Sequence, residues 1–540
     1  MTDTIIEQLR RVRDDHQAEL DAHRFLLEAF AGVGGFSPSL AAPPASWWGA
    51  AATDYATGTL WTRGESAPRS WLDRFPREDE DKFRSRVAVA HYENYVEPLT
   101  ELKCSYVLRE QFAIADEPQA VSKWKANVDG DETTWADWLP DVVMQAAVLG
   151  WTPILVDAPQ VAAGLSRAQA GDTAPVLHPL FPSQLLEWSA RGKRFEWVKI
   201  RTDHVERPSW DAQPVRIERY AIWTPADVTV HRVITRPGHE PSHEVDGPIR
   251  HGFGRVPVAI MRHSAGGDAL RGRPMHWSVS QLSKRLFNLL SEMDEHMRSN
   301  VFALLVMPMR QGGGGDVDLG ARNGLIVDPD QKNTPEFISP DASIATTIEA
   351  RIDALVRAIY RLARVEFSRP SGAAVSGVAR EYEFEQTNRA LSDFAKGIAR
   401  AESDVADLVG SVSGVPLEER RRETITPPRS FAVQDLERDM KLAMDAVTLR
   451  LGETATTRIK QAVVRRLLPN LTAADQAKID GELEEAAAEE AQSRAAAMDS
   501  LALAHDQGAG DASGQVSGVD NGVSDANNAL QGGAQTGRAA

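Results

Sequence analysis

The feature that most constrains this chain is a pair of amphipathic stretches, residues 276–302 and 343–367, on either side of a short glycine-containing segment. In each stretch, large apolar residues recur at steps of three and four, which places them on one face of a helix. The first set is Leu282, Leu286, Leu290, Met293 and Met297, and the second is Ile344, Ile348, Ile352, Leu355, Ile359 and Leu362. The sequence therefore predicts two long helices, each with one apolar stripe.

The segment between the two predicted helices has the pattern of a β insert. Residues 301–307 and 325–327 are short apolar runs, and residues 312–315 are four glycines, which a helix accommodates only at high cost. A glycine run can cradle phosphate, but this one lacks the Lys-Ser/Thr that follows it in a P-loop. Asp316 stands there instead and would repel phosphate. A flexible hairpin tip is the favoured interpretation.

A loop of small residues follows the second helix. The run SRPSGAAVSG at residues 368–377 breaks the helical pattern. A third amphipathic stretch comes next, with apolar positions at Leu391, Phe394, Ile398, Val405 and Leu408. Helix, tip, helix, loop and long helix is an unusual order for a small-molecule enzyme, and it suits an element that is repeated around a ring.

The flanking regions differ in type. Apolar spacing predicts a helix in residues 1–32, another that carries Val87 to Tyr95 and stops near Pro98, and a third over 135–149. The segment 74–86, which leads into the second helix, is highly charged. Residues 154–157 are a short buried-strand candidate, and residues 178–262 are β-rich. Residues 416–430 are charged and Pro-rich, which indicates a boundary. Helical patterns resume over 434–500. From residue 506 the chain has almost no large apolar side chain, so disorder is expected.

The charge and the single cysteine limit the classes of function. The chain has 540 residues and a net charge of −17, which argues against a broad basic face that grips nucleic acid. It does not argue against a conduit, because a surface that repels phosphate lets DNA slide. Taken alone, the charge is explained more simply by solubility, since many soluble proteins are acidic. Cys104 is the only cysteine, so an intrachain disulfide is excluded and a reducing cytoplasm is expected. We find no secretory signal and no apolar run of membrane-spanning length.

Motifs of catalysis are missing from the sequence. We find no P-loop, no H-E-x-x-H and no G-x-S-x-G. Asp129, Asp131 and Glu132 are interpreted as a solvated turn rather than a cation site, and Cys104 as a small buried residue. The tryptophans are expected to anchor cores or subunit contacts. We therefore predict no enzymatic activity, no metal and no cofactor. An acid-pair hydrolase stays open as an alternative, because paired carboxylates need not be close in sequence.

At this point the order of elements resembles the portal (head-to-tail connector) proteins of tailed bacteriophages, over about residues 70–490. Locally, the run REDEDKFRSR at 77–86 followed by Asn94-Tyr95-Val96 is similar to the charged N-terminal helix of some portals. The run GWTPILVD at 150–157 is similar to the glycine-then-strand segment after it, and RVPV at 255–258 to the lead-in of the first stem helix.

The resemblance implies an α+β, predominantly helical fold of the portal type, assembled into a ring. Its implied parts are a wing (1–271), a first stem helix (272–303), a clip with β structure (304–342), a second stem helix (343–367), a tunnel loop (368–380), a long wing helix (381–415), a helical crown (416–505) and a disordered tail (506–540).

The resemblance also implies a function, partners and sites. A dodecamer at one capsid vertex would pass double-stranded DNA during packaging and ejection, in the host cytoplasm during assembly and then in the virion, with no membrane contact. Its partners would be the terminase, a neck or tail adaptor, the major capsid protein and the scaffold. The channel-loop residues would be Ser368, Arg369, Ser371, Gly372, Val375, Ser376, Gly377 and Arg380, and the docking residues of the clip would be Arg310, Gly313, Asp316, Asp318 and Arg322. Another minor virion structural protein is a third alternative.

Overall fold

A computed structural model of the chain describes residues 2–37, 70–109, 112–158, 174–207, 209–264, 268–301, 304–306, 336–338, 343–365, 377–428, 431, 457, 461, 478–486, 488 and 492. The chain divides into two compact units, residues 1–432 and 433–540. This division falls just after the Pro-rich segment that the sequence marks as a boundary. In the second unit, the described residues are helical, with a continuous run over 478–486.

The first unit combines helices with antiparallel sheets. Its helices are α1 (Thr2–Arg10), α2 (Asp14–Ala31), α3 (Glu80–Val89), α4 (Val96–Arg109), α5 (Gln119–Trp124), α6 (Trp135–Leu149), α7 (Trp277–Val301), α8 (Ser343–Ala363), α9 (Gly377–Val412) and α10 (Leu417–Arg420). Its strands are β1 (Ala113–Ala115), β2 (Trp151–Asp157), β3 (Val176–Pro179), β4 (Leu185–Arg191), β5 (Arg194–Glu206), β6 (Val215–Trp223), β7 (Asp227–Thr235), β8 (Ser242–Arg250), β9 (Val258–Arg262), β10 (Leu304–Val306), β11 (Glu336–Ile338) and β12 (Thr424–Thr426). No described helix is both long enough and apolar enough to cross a bilayer.

Two sheets form the centre of this unit. Strands β4 to β8 make a five-stranded antiparallel meander, and β3, β2 and β9 make a three-stranded antiparallel sheet in that order. The β-rich character predicted for residues 178–262 is confirmed. The remaining strands pair in twos, β1 with β12 and β10 with β11.

Strand β2 lies between two cores. Its first six residues are all buried, and its side chains alternate between opposite faces. Ile154 and Val156 pack with α6 and α9, while Trp151 and Leu155 pack against the five-stranded sheet beside Trp188. The short strand predicted at residues 154–157 therefore exists, but it starts at Trp151.

A tight corner at Gly150 places the start of α7. Gly150 ends α6 with φ +91°, a conformation that favours glycine. A Cβ at this position would lie 2.6 Å from the backbone nitrogen of Pro274. The Met275 N–H donates to the carbonyl of Ala147 at 2.9 Å. The end of α6 thus fixes the segment that leads into α7.

The structure corrects the prediction that one amphipathic helix carries Val87 to Tyr95 and stops near Pro98. Helix α3 ends at Val89, and a new helix, α4, begins at Val96 with Pro98 in its first turn. The Asn94 Oδ1 accepts hydrogen bonds from the Val96 and Glu97 N–H groups at 3.1 and 3.2 Å. Because first-turn N–H groups have no acceptor within the helix, a proline is tolerated there.

The core role predicted for tryptophan is confirmed for six of them. Buried side chains are found at Trp124, Trp135, Trp138, Trp151, Trp188 and Trp223. By contrast, Trp210 is 94% exposed on the turn between β5 and β6.

Candidate functional site

Helices α7 and α8 form a helical hairpin, and this hairpin is the candidate functional element. Their lengths of 25 and 21 residues correspond to about 37 and 31 Å. The strands β10, after α7, and β11, before α8, pair antiparallel. The apolar stripes of the two helices share one hydrophobic cluster. The chain therefore runs out along α7 and returns along α8, as the sequence predicts.

One half of the hairpin, the base, is embedded in the first unit. We define the base as residues 277–291 and 355–363. Leu286 and Ile359 are fully buried, and Phe287 is 2% exposed. The ring of Phe287 lies 5.5 Å from that of Phe36, in an edge-on geometry. Helices α2 and α4 contribute to the same cluster, so the base has a core of its own.

The other half, which we call the distal half, is less covered: Ile348 and Ile352 are only partly buried against this cluster. It comprises residues 292–301 and 343–354, about 15–18 Å of each helix. None of its side chains that the structure describes is buried. Met297 is 53% exposed and Ile344 is 47% exposed. Two members of the predicted apolar stripes are therefore left in contact with solvent at the far end.

A polar anchor marks the level at which burial stops. The Arg86 guanidinium donates two hydrogen bonds to the Glu78 carboxylate, at 2.8 and 2.7 Å. The same guanidinium reaches Ser291 Oγ at 3.3 Å and the Asp73 carbonyl at 2.7 Å. Both charged side chains are at most 3% exposed. This pair holds residues 73–86 against α7 at the last buried position of that helix.

Two further contacts strengthen the anchor. The Asp73 N–H donates to Asn288 Oδ1 at 2.6 Å, and Lys82 forms an ion pair with Glu295 at 3.1 Å. On the other helix, Tyr360 packs edge-on against Tyr95, with ring centroids 6.0 Å apart. Burial raises the pKa of Tyr95 to about 12, so this phenol stays neutral at physiological pH. Contacts thus hold both helices at the base, and the pair of Lys82 and Glu295 lies one turn beyond it, in the distal half.

Acidic residues that could serve the alternative hydrolase cluster elsewhere. Lys125 forms ion pairs with Glu117 at 2.8 Å and with Glu402 at 2.6 Å. Burial raises the pKa of nearby Glu423 to about 7, and Glu117 and Glu402 add to that shift. These side chains line neither the cleft between strand β9 and helix α9 nor the one on strands β5 to β8, within the described part of the chain.

The other chemical candidates of the sequence are structural. Asp129 Oδ1 accepts the N–H groups of Asp131 and Thr133, at 2.9 and 3.3 Å, which closes a turn. Burial raises the pKa of the Cys104 thiol to about 12, so it is a poor nucleophile. Among the described residues, no group of three or more His, Cys, Asp or Glu could hold a metal ion.

Most of the predicted site residues lie outside the described residues. This applies to the docking residues Arg310, Gly313, Asp316, Asp318 and Arg322, and to Ser368, Arg369, Ser371, Gly372, Val375 and Ser376 of the predicted loop. It also applies to the apolar run 325–327 and to the tail 506–540. Gly377 and Arg380 are described, and both lie in the first turn of α9. The long helix therefore begins four residues before the start predicted from sequence.

Sequence reasoning missed the anchor between Arg86 and Glu78. Both residues belong to the charged run that carries the family resemblance, but they are eight positions apart. Glu78 precedes the N-cap of α3, Asp79, so no helical spacing relates the two. The sequence does show a high density of charged residues before an apolar helix. That density indicates polar contacts, but it does not say which residues pair.

Comparison with known proteins gives no family for this chain. No family model matches it, and no curated protein matches it. Several solved structures overlap with it loosely. The "Virion of native gene transfer agent (GTA) particle" has a TM-score of 0.31 and 13% identity, and the alignment covers 72% of this chain and 89% of that chain.

Two structures of particle necks overlap similarly. The "Neck of empty GTA particle computed with C6 symmetry" has a TM-score of 0.34 and 11% identity over 68% of this chain and 89% of that chain. The "Neck of native GTA particle computed with C12 symmetry" has a TM-score of 0.32 and 11% identity over 72% and 89%. At these TM-scores the superpositions support no conclusion about the fold or the function of this chain.

Proposed function

We propose that this chain is a subunit of a portal-type ring in a phage-like particle. In this proposal the helical hairpin is the stem, residues 304–342 form the clip, and the ring encloses a channel for double-stranded DNA. The ring sits at one capsid vertex and has no catalytic activity. The terminase, docked on the clip, supplies the ATP hydrolysis, and a neck or tail adaptor later takes its place.

The exposed apolar side chains at the end of the distal half are the observation that supports this proposal best. Apolar side chains such as Met297 and Ile344 stay exposed in the single chain, although they continue stripes whose members Leu286, Leu355 and Ile359 are buried at the base. In a cyclic ring each subunit meets its neighbours through two different surfaces. A neighbouring hairpin on each side would cover these side chains and leave the polar faces of the helices to water.

The polar contacts at the base fit the same role. A stem that carries load from a packaging motor must be held rigidly where it leaves the wing. The buried pair of Arg86 and Glu78, with its bond to Ser291, provides a fixed point at this level. The net charge of −17 suits a channel through which a polyanion passes without adhering.

Imaging of the purified full-length chain tests the proposal. The expected result is a ring with a central hole in negative-stain micrographs, together with a dodecamer in native mass spectrometry. A compact monomer or a small closed oligomer would overturn the proposal. A hydrolase of the acid-pair type would give that second result, and another minor virion protein would give an assembly without a DNA-sized hole.

A further inference from the structure

A basic cleft lies in the first unit, away from the hairpin. It has a volume of about 400 Å³ and is bordered by strand β9, helix α9 and the turn between β4 and β5. This volume falls in the range of small-molecule sites, roughly 300–1,000 Å³. The cleft does not depend on ring formation, so it can be argued and tested separately from the proposed function.

One face of strand β9 and one face of helix α9 form two walls of the cleft. Along β9, the residues Val258, Ile260 and Arg262 are two apart and so face the same side of the strand. Along α9, Gly397, Arg400 and Asp404 are three and four apart and so share one face of the helix.

The third wall is the turn between β4 and β5. Gly192 adopts φ +65° in this turn. The next two residues, Lys193 and Arg194, line the cleft.

Gly397 lets the helix approach the strand closely. A Cβ at this position would lie 2.1 Å from the carbonyl oxygen of Arg262. Any larger residue would push α9 away from β9. One turn further along the helix, Arg400 is therefore held on the same side as Arg262, and the two guanidinium groups face one cleft.

The cleft concentrates positive charge in an acidic chain. Five cations line it, Lys193, Arg194, Arg255, Arg262 and Arg400, against one carboxylate. The carboxylate of Asp404 lies 3.8 Å from the Arg255 guanidinium. The same guanidinium donates to the backbone carbonyl of Asp404 at 2.9 Å and pairs with Asp407 at 3.1 Å.

The other four cations form no ion pair among the described residues, although Arg262 donates to the backbone carbonyl of Asp268 at 3.4 Å. Within the described residues, no carboxylate lies within ion-pair distance of Lys193, Arg194, Arg262 or Arg400. Burial and the nearby Arg400 guanidinium lower the pKa of Arg262, and together they outweigh the opposite effect of Asp268, as expected for like charges held close together.

The floor of the cleft is apolar. Phe195, Val256 and Leu270 line it and are at most 8% exposed. A site with a cationic rim and an apolar floor suits a ligand that carries an anionic group on an apolar or aromatic body. Guanidinium groups match phosphate oxygens in geometry as well as in charge.

We propose that this cleft binds a phosphate monoester carried on an aromatic body of nucleotide size. The phosphate lies between Arg262, Arg400, Lys193 and Arg194, and the base lies on the apolar floor beside Phe195. A free nucleotide and a nucleotide at the end of a DNA strand share this chemistry. A concave cleft with a buried floor favours such a ligand over the acidic surface of a second copy, for which a flat patch suffices.

Calorimetric titration with three probes tests the chemistry. With the full chain in low salt, dAMP is expected to bind more tightly than inorganic phosphate, and deoxyadenosine is expected to bind weakest. Added salt should weaken dAMP binding. Equal binding of dAMP and deoxyadenosine would overturn the proposal, since the cations would then play no part.

Paired substitutions locate the site. Arg262→Ser with Arg400→Ser should weaken dAMP binding by roughly tenfold or more, as expected for lost charge-assisted hydrogen bonds. The matched control, Arg77→Ser with Arg236→Ser, removes two exposed arginines elsewhere and should leave binding unchanged. If the first double variant misfolds, Lys193→Ser with Arg194→Ser removes two cations from an exposed turn. Unchanged binding in that folded variant would overturn the assignment.

Two duplex probes separate the sources of the phosphate. If the site takes DNA ends, a blunt duplex with 5′-phosphates should compete with dAMP, and the same duplex without them should compete less. If it takes free nucleotides, neither duplex should compete. If no probe binds but Arg262→Ser with Arg400→Ser abolishes self-association, the cleft is a contact between copies and the proposal is wrong.

Discussion

The base and the distal half of the helical hairpin carry the same apolar spacing, but they differ in what covers them. At the base, Leu286 and Ile359 are fully buried among side chains of α2 and α4. In the distal half, Met297 and Ile344 stay about half exposed. An apolar stripe on a helix indicates that something packs there, and it does not say whether the partner is the same chain or another copy.

The largest effect is expected from a substitution that removes the anchor at the base. Arg86→Ala leaves the Glu78 carboxylate buried without its partner, which is expected to cost about 3–5 kcal/mol of unfolding free energy. Chemical denaturation of the dispersed chain measures this. The matched control is Arg84→Ala in the same helix. Arg84 is 72% exposed and pairs with exposed Glu80, so its loss should cost less than about 1 kcal/mol. Equal effects would show that the anchor does not hold the base.

The second prediction compares two isoleucines of the same stripe. Ile359→Ala creates a cavity in the core of the base and should cost about 2–5 kcal/mol. Ile344→Ala changes a side chain that is 47% exposed and should cost less than about 1 kcal/mol in the dispersed chain. Denaturant midpoints of the two variants measure the difference. If Ile344→Ala proved as costly as Ile359→Ala, the distal half would have a core within its own chain.

The third prediction concerns assembly, which should be sensitive to a change at Ile344 although the stability of the single chain is not. Ile344→Asp should change the stability of the dispersed chain by no more than about 0.5 kcal/mol and yet prevent assembly, because it buries a charge between copies. Ala350→Asp, on the opposite face of α8, serves as the control and should assemble. Sedimentation velocity gives the readout. Normal assembly of Ile344→Asp would contradict a role of this stripe between subunits.

The smallest effect is expected outside the hairpin, at Glu423. Burial raises the pKa of this carboxyl from 4.5 to about 7, so the folded state holds the proton more tightly than the unfolded chain does. Ionisation then lowers stability progressively between about pH 4.5 and pH 7, and the loss is complete above that range.

Glu423→Gln should therefore raise the melting temperature by about 1–3 °C at pH 8 and by less at pH 5. Glu418→Gln, at an exposed position of α10, should have no such pH-dependent effect. Melting curves at the two pH values give the comparison. An equal shift at both pH values would show that the gain does not come from the ionisation of Glu423.

The sequence predicted the elements of the hairpin well, because apolar spacing reports helix formation locally. It placed α7 and α8 to within a few residues and the β-rich region over 178–262. It failed at Pro98, where helix capping by Asn94 allows a proline that the pattern interprets as a stop. A proline near the end of one helix is a stop, and a proline in the first turn of the next helix is not. Apolar spacing does not distinguish these two cases.

The contacts of the candidate site were less predictable. The apolar spacing is the same at Ile344 and Ile359, so the sequence pattern does not predict which of them is buried. Burial at the base is provided by α2 and α4, which are distant in sequence. The pair of Arg86 and Glu78 and the convergence of Arg262 with Arg400 likewise depend on tertiary structure. A charge pattern indicates where polar contacts are dense, whereas partners are assigned only by the fold.

Thiol labelling of the assembled protein tests the central claim most directly. The only native thiol, Cys104, is buried and has a pKa raised to about 12, so it reacts little. A cysteine introduced by Ile344→Cys should be protected in the assembled ring and reactive in the dispersed chain, while one introduced by Ala350→Cys should react in both. Equal reactivity of the cysteine at position 344 in the two states would contradict the account, because the distal stripe would then have no partner in the assembly.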